Sequence, residues 1–325
     1  MTHVATLVCD PGFPMLSDTE TRIAAALLPG AGDATWLDAR IAADIPFTAG
    51  ERPLREIADE VRAALGTAPV DVIVQPLENR RKKLFLADMD STMIRQECID
   101  ELAGEVGKKK HVAEITERAM RGEIAFEPAL RERVALLKGL HPDTIRKVIG
   151  KRITMSPGAR ILVQTLRQHG VHTVLVSGGF TAFTSVIGEQ IGFHENHANV
   201  LLLGQDGRLA GLVQEPILGK DAKLATLVAK RDELKLAESD TIAVGDGAND
   251  LDMIRAAGLG LAYHAKPAVA AAAAACIDHG DLTALLYAQG YRGEEFWRPP
   301  REQLNATDWK RKYGAMEKAH ERRGW

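Results

Sequence analysis

The sequence lacks the features that mark several large protein classes. Its three cysteines, Cys9, Cys98 and Cys276, are widely scattered over 325 residues and stand in no CxxC or Cys/His spacing. That excludes a disulfide scaffold or a zinc cluster and leaves buried or incidental thiols of a reducing compartment. The net charge is only −3, which gives no global basis for binding nucleic acid or an anionic membrane. The longest apolar run, Pro267 to Ile277, is mostly alanine and too short to cross a bilayer. The opening Met1-Thr2-His3-Val4 has neither the basic nor the apolar region of a secretion signal, so a cytoplasmic, soluble protein is expected. There is no GxxxxGK[ST], and no GxGxxG follows a strand. A P-loop and a nicotinamide cofactor are therefore not expected.

The chain is long enough for two domains at roughly 100–200 residues each. Its hydrophobic fraction of 46% and charged fraction of 26% are those of an ordinary globular protein. Val4 to Cys9 reads as a strand. Ser17-Asp18-Thr19-Glu20 has capping-box spacing, with Ile23 and Leu27 following at helical intervals. Ala34 to Leu37 and Ile41 to Phe47 read as short strands. Pro53 to Leu65 reads as a helix with one apolar face at Leu54, Ile57, Val61 and Leu65, and Val70 to Val74 as a strand. The order strand, helix, two strands, helix, strand predicts a small α+β unit of the ferredoxin-like type over residues 1–78. Glu78 to Lys83 would then be a polar link.

The stretch Lys83-Leu84-Phe85-Leu86-Ala87-Asp88-Met89-Asp90-Ser91-Thr92 organises the rest of the chain. A short apolar strand ends in two carboxylates one residue apart. Four amphipathic helical patterns come next, over about 96–152, and predict a helical insert. Alternation of strand and helix then resumes and predicts a parallel sheet covered on both faces, in a domain spanning 79–290. Two more of its strands end in polar turns: Val171 to Val176 in Ser177-Gly178-Gly179-Phe180, and Thr241 to Val244 in Gly245-Asp246-Gly247-Ala248-Asn249-Asp250. Ala198 to Leu203 and Leu209 to Gln214 read as a hairpin. From Tyr291 onward nine Lys/Arg stand against six Asp/Glu. Within this tail, 291–325, Trp309, Tyr313 and Met316 share one face of a helix expected over Asn305 to Arg323.

In a parallel sheet all these strand ends meet at one edge. Two carboxylates as close as Asp88 and Asp90 need a cation or a shared proton between them, and a hard divalent ion such as Mg²⁺ takes oxygen ligands. Glycine-rich turns followed by helix N-termini favour an anion. Together with Lys223 these groups describe a phosphate bound beside Mg²⁺. Any one of the turns alone would read as a helix cap. Three of them, in this order at three strand ends, are not explained by unrelated caps.

The ordered set Asp88-Met89-Asp90-Ser91-Thr92, Val176-Ser177-Gly178-Gly179-Phe180, Lys223 and Gly245-Asp246-Gly247-Ala248-Asn249-Asp250 resembles the four motifs of the haloacid dehalogenase superfamily of phosphohydrolases. The resemblance covers about Leu84 to Ala288. It implies a Rossmann-like core with a parallel sheet and a small helical cap after the first strand. The N-terminal unit resembles an ACT-like regulatory domain in architecture only. Within the superfamily the match is to the branch that hydrolyses O-phosphoserine to serine and phosphate, the last step of serine biosynthesis. The alternatives are a phosphotransferase acting on phosphoserine and homoserine, or an amino-acid-sensing regulatory protein.

The resemblance also implies residue roles. Asp88 would be the nucleophile that forms an aspartyl-phosphate, and Asp90 the proton donor and acceptor. Mg²⁺ would be held by the Asp88 side chain, the Asp90 backbone carbonyl and Asp246. Ser177 and the Gly178 N–H would bind phosphate, Lys223 would neutralise it or Asp88, and Asn249 would position phosphate or water. Asp250 would orient Lys223 or metal-bound water. From the cap, Glu97 and Arg133 would grip the ammonium and carboxylate of the amino acid, as charge complementarity requires. Phe126 and Met120 would shut out water. Taken singly, Glu97 and Arg133 read as surface charges; their assignment rests on the resemblance. A homodimer and an amino-acid effector at the N-terminal unit are left open, and neither nucleic acid nor membrane is an expected partner.

Overall fold

The computed structural model describes residues 1–299, apart from the side chain of Met120. The helix expected over Asn305 to Arg323, with Trp309, Tyr313 and Met316, lies outside the described residues.

The N-terminal unit runs β1 (His3–Cys9), α1 (Asp18–Leu27), β2 (Thr35–Asp38), β3 (Ala42–Phe47), α2 (Leu54–Ala64) and β4 (Val70–Pro76). The sheet order is β2-β3-β1-β4 with every pair antiparallel. The capping box forms as its spacing predicts: Ser17 Oγ accepts from Thr19 N–H, and Glu20 accepts from the Ser17 N–H at 2.9 Å. The sheet's two faces follow the period-2 rule. Ala5, Leu7, Ala43, Ile45, Phe47, Val72 and Val74 face the two helices and make this unit's own core. Val8, Ala42 and Ile73 belong instead to the larger core of the rest of the molecule.

The second sheet starts with β5 (Leu84–Ala87), after which come α3 (Cys98–Gly104), α4 (Lys109–Met120), α5 (Phe126–Ala135) and α6 (Asp143–Arg152). The chain returns through α7 (Ala159–Gln168), β6 (His172–Phe180), α8 (Thr181–Ile191) and β7 (Glu195–Asn199). A hairpin of β8 (Leu201–Leu203) and β9 (Leu209–Val213) follows, then α9 (Lys220–Glu233), β10 (Thr241–Gly245), α10 (Leu251–Ala256), β11 (Leu259–Tyr263), α11 (Pro267–Ala272), β12 (Ala275–Ile277) and α12 (Ala284–Ala288). The order is β12-β11-β10-β5-β6-β7, all parallel. Leu84 and Leu86 pack with Leu227 of α9 and Met253 of α10 on one face. Phe85 and Ala87 join α7, α8 and α12 on the other.

β5 lies between β6 and β10, so the chain leaves it first to one side and later to the other. That is a topological switch point, and the crevice at the carboxyl end of such strands is where α/β sheets hold ligands. The four cap helices stand over this crevice. Their two connections pair with each other: Ile94 bridges Met155, and the Arg95 N–H donates to Thr154 O at 2.9 Å.

One sequence expectation needs correction, and two segments show how they are anchored. The polar link over 78–83 is tied down at two of its residues. The Arg80 guanidinium donates to Asp44 at 2.7 Å, Thr6 Oγ1 at 3.0 Å and the carbonyls of Tyr287 and Ala288. Lys82 is buried and donates to Ser239 O at 2.8 Å. Charges are tolerated in such a joint because each is hydrogen-bonded, Arg80 to several acceptors and Lys82 to the Ser239 carbonyl. The edge strand β7 starts at Glu195, not Ala198. Its sequence Glu-Asn-His-Ala-Asn has no β character, but Glu195 is held by His172, His197 and Lys230. The start of the tail is anchored as well: Tyr291 is buried and Phe296 packs on Tyr287.

Candidate active site

Asp88 comes directly after the last residue of β5, and its buried carboxylate is clamped on one oxygen. Oδ1 accepts from Lys223 Nζ at 2.7 Å and from the Met89 N–H at 2.8 Å. The next turn puts Ser91 at φ 57°, a left-handed conformation that folds the chain back so that Asp90 re-enters the crevice. Asp90 Oδ1 accepts from the Cys98 N–H at 2.9 Å, and Oδ2 from Ser177 Oγ at 3.3 Å. Ser177 is itself fully buried and its Oγ accepts from the Gly179 N–H at 2.9 Å. A side chain at Gly179 would put Cβ 2.9 Å from Asp90 Oδ2, so the close approach of this turn to the carboxylate requires glycine.

From the third strand end, Asp250 Oδ1 accepts from Lys223 at 2.6 Å, while its Oδ2 accepts from the N–H groups of Asp246 and Gly247. Asp246 Oδ1 accepts from Thr92 Oγ1 at 2.9 Å. The carboxylate oxygens of Asp88, Asp246 and Asp250 lie within 4.8 Å of one another. Burial followed by the charge of Asp250 pushes Asp246 up to about 7, and the same two causes raise Asp88 against the pull of Lys223. Burial raises Asp90 as well, against the Cys98 N–H. Burial alone would lower Lys223, but Asp250 and Asp88 together raise it. A site that suppresses ionisation of its own carboxylates has a deficit of positive charge. Its donors are all hard oxygens, which fits a hard divalent cation. The Asp90 carboxylate is outside this cluster. Asn249 lines the adjoining cavity with Oδ1 buried and unpartnered, a polar demand that a bound ligand would meet.

The cavity measures about 640 Å³ and runs from Asp88, Asp90, Ser177 and Gly178 to the cap residues Glu97, Phe126 and Arg133. The expected residues from sheet and cap therefore share one space or the network behind it; the Met120 side chain lies outside the described residues. Phe126 closes on the Ser177–Gly179 turn, its Cζ 2.8 Å from where a Cβ on Gly178 would lie. Glu97 accepts from Ser91 Oγ at 2.6 Å. Burial, then Asp90 and Asp246, push it up to about 8. Arg133 is 5% exposed, so it is no surface charge. Sequence reasoning misses the role of Thr92, although Thr92 lies in the DxDST stretch itself.

Residues 85–255 match the family of haloacid dehalogenase-like hydrolases, and the chain belongs to that family. More particularly, it is 49% identical over 211 residues to a probable phosphoserine phosphatase of Schizosaccharomyces pombe, covering 65% of this chain and 70% of that protein. It is 38% identical over 297 residues to a phosphoserine phosphatase of Streptomyces coelicolor, covering 89% and 71%. A solved structure described as a phospho-aspartyl intermediate analogue of phosphoserine phosphatase is 41% identical. It superposes with a TM-score of 0.60 over 64% of this chain and 98% of that one.

Proposed function

We propose that this protein is a phosphoserine phosphatase that hydrolyses O-phospho-L-serine to L-serine and phosphate with Mg²⁺ as cofactor. One observation carries the reading. A clamped carboxylate, a second carboxylate with raised affinity for protons, and a buried acid and guanidinium from the cap all line one cavity.

Asp88 Oδ1 is taken by two donors, which fixes the rotation of the carboxylate and leaves Oδ2 to attack. The Oδ2–P bond forms as the bond from phosphorus to the serine oxygen breaks, and Asp90 gives that oxygen its proton. Asp90, now ionised, takes a proton from water. The water oxygen bonds to phosphorus, the bond to Asp88 breaks, and phosphate leaves. Ser177, the Gly178 N–H and Asn249 hold phosphate oxygens. Lys223 stabilises Asp88 in its charged form. Asp88, Asp246 and the Asp90 carbonyl would hold the cation, which neutralises charge on the transferring phosphoryl group. Glu97 receives the ammonium and Arg133 the carboxylate. We read residues 1–78 as an ACT-like unit beside a catalytic unit over 79–290, in a cytoplasmic protein of serine biosynthesis. No helix among the described residues is long and apolar enough to cross a membrane.

Phosphate release from a panel of phosphorylated amino acids and sugar phosphates, with and without Mg²⁺, tests the reading. O-Phosphoserine is expected to be turned over fastest and only with the metal. A uniform rate across sugar phosphates would overturn the substrate assignment.

A further inference from the structure

The cap holds a second feature of Arg133. Its Nε donates to Ala129 O at 3.0 Å within α5, and its Nη1 donates to Thr116 Oγ1 of α4 at 2.9 Å. Thr116, 4% exposed, lies 2.7 Å from Asp100 Oδ1 of α3 and 3.0 Å from Val112 O. A hydroxyl has one proton to give. The shorter contact to a carboxylate is the stronger acceptor, so Thr116 accepts from the guanidinium and donates to Asp100. Arg133 makes no ion pair within 4.0 Å among the described residues. A buried guanidinium without a directly paired anion is unusual, because burying a charge is costly unless it is paired.

We infer that Thr116 and Asp100 are positioning residues that make the enzyme select for a substrate carboxylate, an inference that rests on Arg133 being the carboxylate anchor. Asp100 in direct contact with Arg133 would occupy the guanidinium edge and compete with the substrate. Interposing a hydroxyl avoids this. Thr116 fixes the guanidinium through one Nη, Asp100 polarises that hydroxyl into a better acceptor, and the remaining donors keep their capacity for a carboxylate. Three cap helices thereby fix one hydrogen-bonding plane.

A substrate pair separates this from a merely structural network. O-Phosphoethanolamine carries the phosphate and ammonium of phosphoserine but no carboxylate. Thr116→Val keeps the shape and removes the hydroxyl. It is expected to raise KM for O-phosphoserine about tenfold, the loss typical of a hydrogen bond to a charged group, with kcat within about twofold. The kcat/KM for O-phosphoethanolamine should stay within about twofold of the parent. Thr116→Ser should restore the parent KM. Asp100→Asn, which keeps an acceptor without the charge, should raise KM for phosphoserine by roughly threefold; it carries the test if Thr116→Val does not fold. Equal losses on both substrates, or an unchanged KM for phosphoserine in the variant measured, would overturn the inference. Arg133→Met is the control. If it weakens both substrates equally, the anchor itself is wrong and the inference falls with it. If it is selective for phosphoserine and Thr116→Val is not, only the positioning role fails.

Discussion

The two halves of the cavity solve opposite electrostatic problems. On the sheet side the carboxylates of Asp88, Asp246 and Asp250 cluster around the buried cation Lys223, which touches two of them at 2.7 and 2.6 Å, with Asp90 beside the cluster. Backbone N–H groups and hydroxyls from three strand ends supply the rest. That half is pre-assembled and short of positive charge. On the cap side Glu97 and Arg133 are not paired with each other; among the described residues Glu97 is held by a neutral hydroxyl and Arg133 by a hydroxyl and a carbonyl. Carboxylates surround Arg133 without touching it, so both groups keep capacity for a direct ionic partner, which a zwitterion supplies. The contrast assigns chemistry to the half whose geometry the backbone fixes, and selectivity to the half whose charges await a partner.

Perturbing each half in turn should expose the difference. The largest effect is expected for Asp88→Asn, which keeps the shape and removes the proposed nucleophile. Turnover of phosphoserine should fall by about 10⁴-fold or more, while the circular dichroism spectrum stays that of the parent. Retained turnover would place the chemistry elsewhere. Lys223→Met leaves two buried carboxylates, Asp88 and Asp250, without their shared cation. It should cost about 3–5 kcal/mol of stability, read as a lowered denaturation midpoint; an unchanged midpoint would mean that the sheet side is not held together by charge.

The next effect concerns pH. Asp246 at about 7 and Glu97 at about 8 titrate above their ordinary range in the folded protein. The folded state then keeps protons that the unfolded chain releases near pH 4–5, so stability is lost as pH rises from there to about 8. In chelator the melting temperature should drop by roughly 5 °C between pH 5 and 8. Mg²⁺ favours the ionised forms and should flatten the slope. A rise with pH in chelator would contradict the raised affinities. Smallest of all, Gly178→Ala presses a methyl against the ring of Phe126, which can shift. The kcat/KM for phosphoserine should fall by roughly fivefold. No loss would mean that Phe126 does not close on the turn.

Much of the sheet side is legible in the sequence because its information is local. A strand positions the residue at its end, and a parallel sheet aligns strand ends, so Asp88, Ser177 and Asp246 can be gathered from strand periodicity alone. Glycine turns and the DxDST spacing carry their own conformational meaning. The cap side is legible only through resemblance, since Glu97 and Arg133 look like helix-surface charges. Thr116 and Asp100 leave no signal, because they meet across three helices with no common period. Arg80 and Lys82 read only as part of a polar link for a similar reason. A charge run usually faces water, and only the carbonyls of Tyr287, Ala288 and Ser239, some 150–210 residues away in sequence, show that this one does not.

By itself the sequence determined the element order apart from the edge strand β7, the parallel sheet with its inserted helices, and the set of polar groups at one sheet edge, since strand periodicity and turn chemistry act over a few residues. The tertiary structure alone decided which charges lose their water. Burial turns Arg133 from a surface residue into a guanidinium without a direct ion pair and raises Asp88, Asp90 and Asp246. Desolvation depends on what the whole chain packs around a group, not on its neighbours in sequence.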